Sequence, residues 1–517
     1  MQFDVLRRAP HLSAALSALA TVAIALPFLW SFTRPPSTNF WPMAASWLCF
    51  ALLLLISAVL STVARPWSPR QQAHLVAAGL LLAALASSCI GLAQYFGLRD
   101  GLSPWVYDAP LGQAMGNLRQ RNQQATLLSL GIWSLVWWVL HAEGARAGQL
   151  LAMAAMALLA VGSAATASRT ALLQWLLLLA LAWLWRARWG WRPARWLAGA
   201  FALYLAAAWA LPALLWRAVG VHGSGVFERV AASYGCGSRR VLWSNVLDLI
   251  ALRPWGGWGW GELDYAHYVT LFPGQRFCAL LDNAHNLPLH LAVELGLPAA
   301  GLVLGLAAVL VWRARPWREG APQRQLAWGV LLPIAAHSLL EFPLWYGPFQ
   351  LAALCALALL LAREAAPGSK EKWPVAPYLK GFVAILMIVI VAAVARQYLA
   401  VSQLYLPPAE RGAAPLRDAQ GRVAGAPLFD DAARFAFLTT REVDASNAAQ
   451  MHDLAADLLH YSPEPRVIER LIRSAELLGR TEEAAWHRQR YAAAHPAAYA
   501  RWQRAATPVS APAPAGR

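Results

Sequence analysis

Ala51-Leu52-Leu53-Leu54-Leu55-Ile56-Ser57-Ala58-Val59-Leu60 is an uncharged apolar run, and similar runs recur at Leu80–Ala93 and Ala171–Leu184. A membrane span needs about 20 mostly apolar residues, and each of these runs sits inside a longer apolar stretch. The 517 residues are 58% hydrophobic and 14% charged. A soluble chain of this size would split into domains and carry roughly 25% charge. No soluble core accounts for a series of such blocks, so the chain reads as an all-α polytopic membrane protein. Eleven spans are expected, at about 12–32, 43–64, 73–97, 122–140, 149–167, 169–185, 196–216, 285–312, 325–343, 346–362 and 381–401. The first run, Leu12–Trp30, is long and has no small-residue cleavage site behind it, so it reads as a span rather than a removed signal.

The net charge of +16 raises the question of nucleic acid. The basic residues instead cluster in short loops between apolar blocks, as the positive-inside rule requires, and no basic domain stands apart. With Arg7 and Arg8 in the cytoplasm, alternate loops carry Arg65 and Arg70; Arg146; Arg186, Arg188, Arg192 and Arg195; Arg313, Arg315, Arg318 and Arg324; and Arg363, Lys370, Lys372 and Lys380. Trp185 and Trp191 fit an aromatic belt at that face. Segments 98–121 and 217–284 are then periplasmic, and the second is too long for a plain connector. An odd number of spans also puts the tail in the periplasm. The expected domains are 1–401, a transmembrane domain that includes loop 217–284; 402–505, a periplasmic helical domain; and 506–517, an Ala/Pro-rich disordered end. In the tail, Ser462-Pro463-Glu464 reads as a helix start and Gly479 as a stop, with a second helix from Thr481 to Pro496. Paired short helices of this kind resemble a tetratricopeptide unit.

Cys49, Cys89 and Cys355 lie inside spans and read as packing residues. Cys236 and Cys278 share the large loop. In an oxidising periplasm they are expected to form a disulfide; the alternative is two unrelated thiols.

Polar clusters are informative where burying them is costly. Gly116-Asn117-Leu118-Arg119-Gln120-Arg121-Asn122 precedes a span; it can hold sugar or phosphate, or cap the helix. Ser168-Arg169-Thr170 opens a helix where the dipole favours anions, the alternative being an Arg that reaches for headgroups. Ser238-Arg239-Arg240 precedes Pro254-Trp255-Gly256-Gly257-Trp258-Gly259-Trp260-Gly261-Glu262, which offers a bidentate cation and flat aromatic faces but lacks a nucleotide-binding spacing. Asp282-Asn283-Ala284-His285-Asn286 stands where the loop re-enters the membrane, and histidine can accept a hydroxyl proton near neutral pH. His337-Ser338-Leu339-Leu340-Glu341-Phe342-Pro343-Leu344-Trp345-Tyr346 places a His and a Glu in a short turn, either functional or paired with each other to fix it. No carboxylate set has metal-ligand spacing.

The order of these pieces resembles the O-antigen ligase/polymerase superfamily: the Ser-Arg-Thr turn, Arg239 followed by Trp243 and the Pro-x-x-Gly-x-Gly run, and His285-Asn286 with Gly296 ten residues on. Ala299 stands where many lipopolysaccharide ligases have Gly, Thr or Tyr. Gly116, Gln120, Arg121 and Asn122, the His337–Tyr346 element and the helical tail resemble the protein O-oligosaccharyltransferase branch, PglL-type. The resemblance covers about residues 90–500. It implies a GT-C-like, metal-independent, inverting glycosyltransferase without a cofactor. The donor would be a glycan on undecaprenyl pyrophosphate in the inner membrane, and the acceptor a Ser or Thr hydroxyl of a periplasmic or pilin protein. His285 would act on the acceptor hydroxyl. Arg169 and Arg239, with Arg121, Gln120 and Asn122, would hold the pyrophosphate. Asn286, His337, Glu341 and Tyr346 are acceptor or structural candidates. The rival readings are an O-antigen ligase acting on lipid A-core, an O-antigen polymerase and a lipid-linked glycan flippase. A transporter would place polar groups near the middle of several spans; here they gather at one face.

Overall fold

The computed structural model describes residues 10–63, 66–98, 100–141, 146–223, 225, 235–280, 282–362, 375–412 and 417–506. Of the expected features, Arg7, Arg8, Arg65, Arg363, Lys370, Lys372 and the end segment from 507 lie outside the described residues.

In an apolar solvent every backbone N–H and C=O must be satisfied within the segment, so each apolar block becomes a helix. The helices are α1 Pro10–Leu29, α2 Phe40–Val63, α3 Pro69–Tyr95, α4 Arg121–His141, α5 Arg146–Ala165, α6 Arg169–Leu184 and α7 Arg192–Val219. After the large loop come α10 Leu287–Ala314, α11 Pro322–Ser338, α12 Gly347–Leu361 and α13 Val375–Ser402. Each expected span coincides with one of these. Eight are long and apolar enough to cross a membrane, while α6 and α12 are shorter apolar helices. The chain is an all-α, multi-pass membrane protein. Among the described residues, the one extended pairing is the isolated bridge between Arg417 and Val423.

The chain divides into two compact units, residues 1–233 with 308–395, and residues 234–307 with 396–517. In the first, α3 packs on α1, α4 and α5, and α4 packs on α5, α6 and α11. Trp133, Trp137, Trp175 and Trp185 are fully buried there. Trp185 is therefore not part of an interfacial belt. Its indole N–H donates to Pro316 O at 3.0 Å and its ring packs on Trp133 and Trp189. Burying the ring while satisfying its one donor is the more stable use of a Trp at that point. Trp191 stays exposed, as a belt residue should.

The second unit joins α8 Arg239–Leu252, α9 Leu263–Val269 and the start of α10 with the tail helices α14 Asp430–Thr439, α15 Ala448–Leu458, α16 Pro465–Leu477, α17 Thr481–Ala494 and α18 Pro496–Ala506. Successive tail helices pack on one another around Leu454, Leu458, Ile468, Leu471 and Ile472. α16 begins at Pro465 with Glu464 before it, two residues later than the Ser462-Pro463 reading. The Pro at the first helical position is Pro465, whose missing N–H would be unsatisfied there in any case. Gly479 adopts φ +74° just past the end of α16, the left-handed stop its sequence position suggests. Tyr268 of α9 is buried in the same core, with its hydroxyl 2.9 Å from His487 Nδ1. Part of the large loop is thus an element of the tail's core.

Candidate active site

In the first unit, the Gly116–Asn122 cluster divides into two jobs. Gly116 and Asn117 hold the preceding loop: Gln94 Oε1 accepts from the Met115 and Gly116 N–H groups, and Asn117 Nδ2 donates to Leu29 O and Trp105 O. Arg119, in a left-handed conformation, donates to Ser31 O and covers the Tyr107 ring. These are structural roles. Gln120 and Asn122 look the other way. Gln120 Oε1 caps α4 by accepting from Gln123 N. Its Nε2 donates to Glu341 Oε2 at 3.3 Å, and Asn122 Nδ2 donates to Glu341 Oε1 at 3.1 Å.

Ser168 caps α6. Its hydroxyl accepts from Ala171 N and donates to Asn122 Oδ1 at 2.6 Å. Asn122 therefore ties the start of α4 to the start of α6 and to the turn after α11. Arg121 and Arg169 are the first residues of those two helices; Arg121 is half-buried and Arg169 exposed. Two bound helix N-termini, each opened by a guanidinium, favour an anion at this end of the unit. Below them runs a polar chain of which the sequence motifs marked only His337. Thr126 Oγ1 lies 2.9 Å from His337 Nδ1, Gln174 Nε2 donates to Thr126 Oγ1, and Ser129 Oγ donates to Gln174 Oε1. The signal for it was an amide, Gln174, inside an otherwise apolar span. Glu341 N donates to His337 O at 2.8 Å, so the two residues are joined through the backbone of the turn. Half-buried Tyr346 stacks on Phe342 with centroids 5.9 Å apart.

In the second unit, a disulfide joins Cys236 and Cys278, with Cα atoms 5.3 Å apart. It lies just ahead of Ser238, which caps α8. Arg239 is the first residue of that helix and is half-buried. Trp243, one turn on, donates its indole N–H to Ala284 O at 3.1 Å and so fastens the Asn283–Asn286 segment to α8. Within that segment Asn283 Oδ1 accepts from His285 N, and Asn286 Oδ1 caps α10 by accepting from Leu289 N. Held between an Asn turn and an Asn cap, His285 sits at φ +50°. A side chain in the left-handed region costs energy and persists where its surroundings fix it, often at functional sites. The half-buried imidazole has a pKa pushed down to about 4, first by burial, then by the Arg239 cation and by His290. His285 and Arg239 thus act on each other.

α10 is interrupted at Gly296, which has φ +82°. The Gly/Trp run fills the break. Trp258 N donates to Val293 O, Gly259 N to Glu294 O, and Leu297 N to Pro254 O. A Cβ on Gly257 would stand 2.3 Å from Glu294 O, and one on Gly296 would stand 2.2 Å from Trp255 O. Both glycines are needed because two backbones meet there. This contact leaves Trp255 and Trp260 exposed on the loop. Among the described residues, no three His, Cys, Asp or Glu side chains gather as a metal site would require.

Three family models match the chain: "O-Antigen ligase" over residues 154–304, "Protein glycosylation ligase" over 114–139, and "Virulence factor membrane-bound polymerase, C-terminal" over 325–509. The first covers the Ser168-Arg169-Thr170 turn, Arg239, His285 and Gly296, and the second covers Gly116–Asn122. A "General O-oligosaccharyltransferase" of Acinetobacter baylyi (strain ATCC 33305 / BD413 / ADP1) is 27% identical over 331 residues. The match takes in 61% of this chain and 55% of the relative, so the chain spans about half the relative's length. The models and the relative bear out what the motifs indicated: the chain is similar to the PglL-type protein O-oligosaccharyltransferases of the O-antigen ligase/polymerase superfamily.

Proposed function

We propose that the chain is a glycosyltransferase of the bacterial inner membrane. It moves an oligosaccharide en bloc from undecaprenyl pyrophosphate to a Ser or Thr hydroxyl of a periplasmic or pilin protein. The observation that carries this reading is the built pair in the second unit: a conformationally held His285 beside Arg239, fastened by Trp243, at the entry to α10.

In the proposed step the acceptor oxygen attacks the anomeric carbon from the face opposite the leaving group. The bond from that carbon to the pyrophosphate oxygen breaks, and the configuration inverts. The hydroxyl proton passes to His285, whose lowered pKa favours the neutral form at pH 7. Negative charge grows on the pyrophosphate, where a planar guanidinium offers two parallel donors. Arg239 supplies one such group. An anionic donor also offsets the Arg239 charge and makes His285 a stronger base once the donor is bound. No metal or cofactor enters the step. The active face and the helical tail are assigned to the periplasm.

The O-antigen ligase match supports a second reading, in which the acceptor is a sugar hydroxyl of lipid A-core. Purified chain in proteoliposomes with an undecaprenyl-pyrophosphate glycan and a Ser/Thr-rich periplasmic protein separates the two. The expected result is a mass gain on the protein that fragmentation places on a hydroxyl side chain. Transfer only to lipid A-core, or only lengthening of the lipid-linked glycan, would replace this reading with a rival.

A further inference from the structure

At the end of the first unit remote from Asn122 and Ser168, a cavity of 460 Å³ lies between α1, α2, α3, α12 and α13. The direction of the helices fixes its position. Ser57 is near the end of α2, Leu359 is in the last turn of α12, and α3 has only begun at Pro69, whereas the Glu341 network sits just before α12 begins. The walls are mostly apolar, with Leu53, Leu75 and Leu359 among them. Polar groups stand around it as well. Lys380 Nζ donates to Ser57 Oγ at 3.1 Å, and among the described residues no carboxylate pairs with it. Trp67 Nε1 is buried and has no hydrogen-bond partner among them. The Trp67 carbonyl is already taken by Gln72 Nε2.

An ammonium beside an apolar cavity, with no carboxylate among the described residues to pair with it, favours an anionic occupant. A lysine that merely reached for water would extend outward instead. The cavity presents a cation and a hydroxyl to one space, and mostly hydrocarbon to the rest. That calls for an occupant with an anionic oxygen cluster on an apolar chain. We propose that this cavity binds one anionic phospholipid. The phosphate accepts from Lys380 and Ser57, and an acyl chain lies along Leu53, Leu75 and Leu359. Such basic pockets between helices are a recurring form of lipid recognition. The site is separate from the transfer chemistry, so it stands whether or not that reading does.

The test is native mass spectrometry of the full chain in detergent with equal amounts of phosphatidylglycerol and phosphatidylcholine, together with melting curves. One phosphatidylglycerol should be retained in preference to phosphatidylcholine, and that preference should fall roughly fivefold in Lys380→Gln. Phosphatidylglycerol should raise the melting temperature, and inorganic phosphate should not. Equal retention of the two lipids, unchanged retention in Lys380→Gln, or equal stabilisation by inorganic phosphate would each overturn the proposal. If Lys380→Gln does not fold, Ser57→Ala keeps the cation but removes the hydroxyl. Reduced phosphatidylglycerol retention then supports the site, and unchanged retention overturns it.

Discussion

His285 combines two demands that pull against each other. A base must be neutral to accept a proton, yet it must hold the proton once it has it. Burial and the nearby Arg239 settle the first demand by lowering the pKa to about 4. For a histidine with a lowered pKa, the neutral form is lost only as pH falls through that lower value. The acid limb of kcat/KM, which reports the free enzyme, should therefore lie near pH 4 rather than near 6.5. Arg239→Gln should move the limb upward, because removing a positive neighbour lets the imidazole protonate more easily. A limb near 6.5 in the unaltered protein would contradict this. Arg239→Lys should also lower kcat/KM, since a point charge does not replace a planar fork. The sequence pointed to both residues because each stands polar at a membrane entry. It could not show that Trp243 joins their segments, nor that Gln174 and Thr126 lie under His337. Those links connect residues far apart in the chain, and no local pattern records them.

At the scale of the element, the apolar blocks determine the helices, and their periodic text was enough to find them. The break in α10 was not legible as a break. Gly296 and Pro298 are tolerated inside spans, and the partner that fills the gap lies some forty residues earlier. Gly296→Ala should destabilise the second unit by about 1–3 kcal/mol from backbone strain alone, before any clash with Trp255 O. Gly301→Ala lies in the same helix with nothing within 4 Å of the added carbon, so it should be neutral or slightly stabilising. Melting curves of the two variants in detergent check this pair; equal effects would contradict the account of the break. The Cys236–Cys278 bond closes a loop with a sequence separation of 42. Replacing both residues by Ser should cost about 2–4 kcal/mol, read as a lower melting temperature that reductant does not lower further.

For the whole molecule, membrane insertion follows from composition. The orientation rests on the alternation of Arg and Lys between loops. Reporter fusions near residues 190, 265 and 420 should give phosphatase activity at the last two and none at the first; the reverse would invert the topology. The tail's helical nature was visible, but the membership of α9 in its core was not, because Tyr268 comes from a loop some two hundred residues before His487. The central claim is transfer to protein with His285 as base. It is tested most directly by intact-mass analysis of periplasmic and pilin proteins. The cells should make the lipid-linked glycan and express either the unaltered chain or His285→Ala at matched membrane levels. The account predicts glycan on Ser or Thr with the former and a loss of about 10²–10⁴-fold with the latter. Near-equal modification of the acceptor by the two proteins would contradict it.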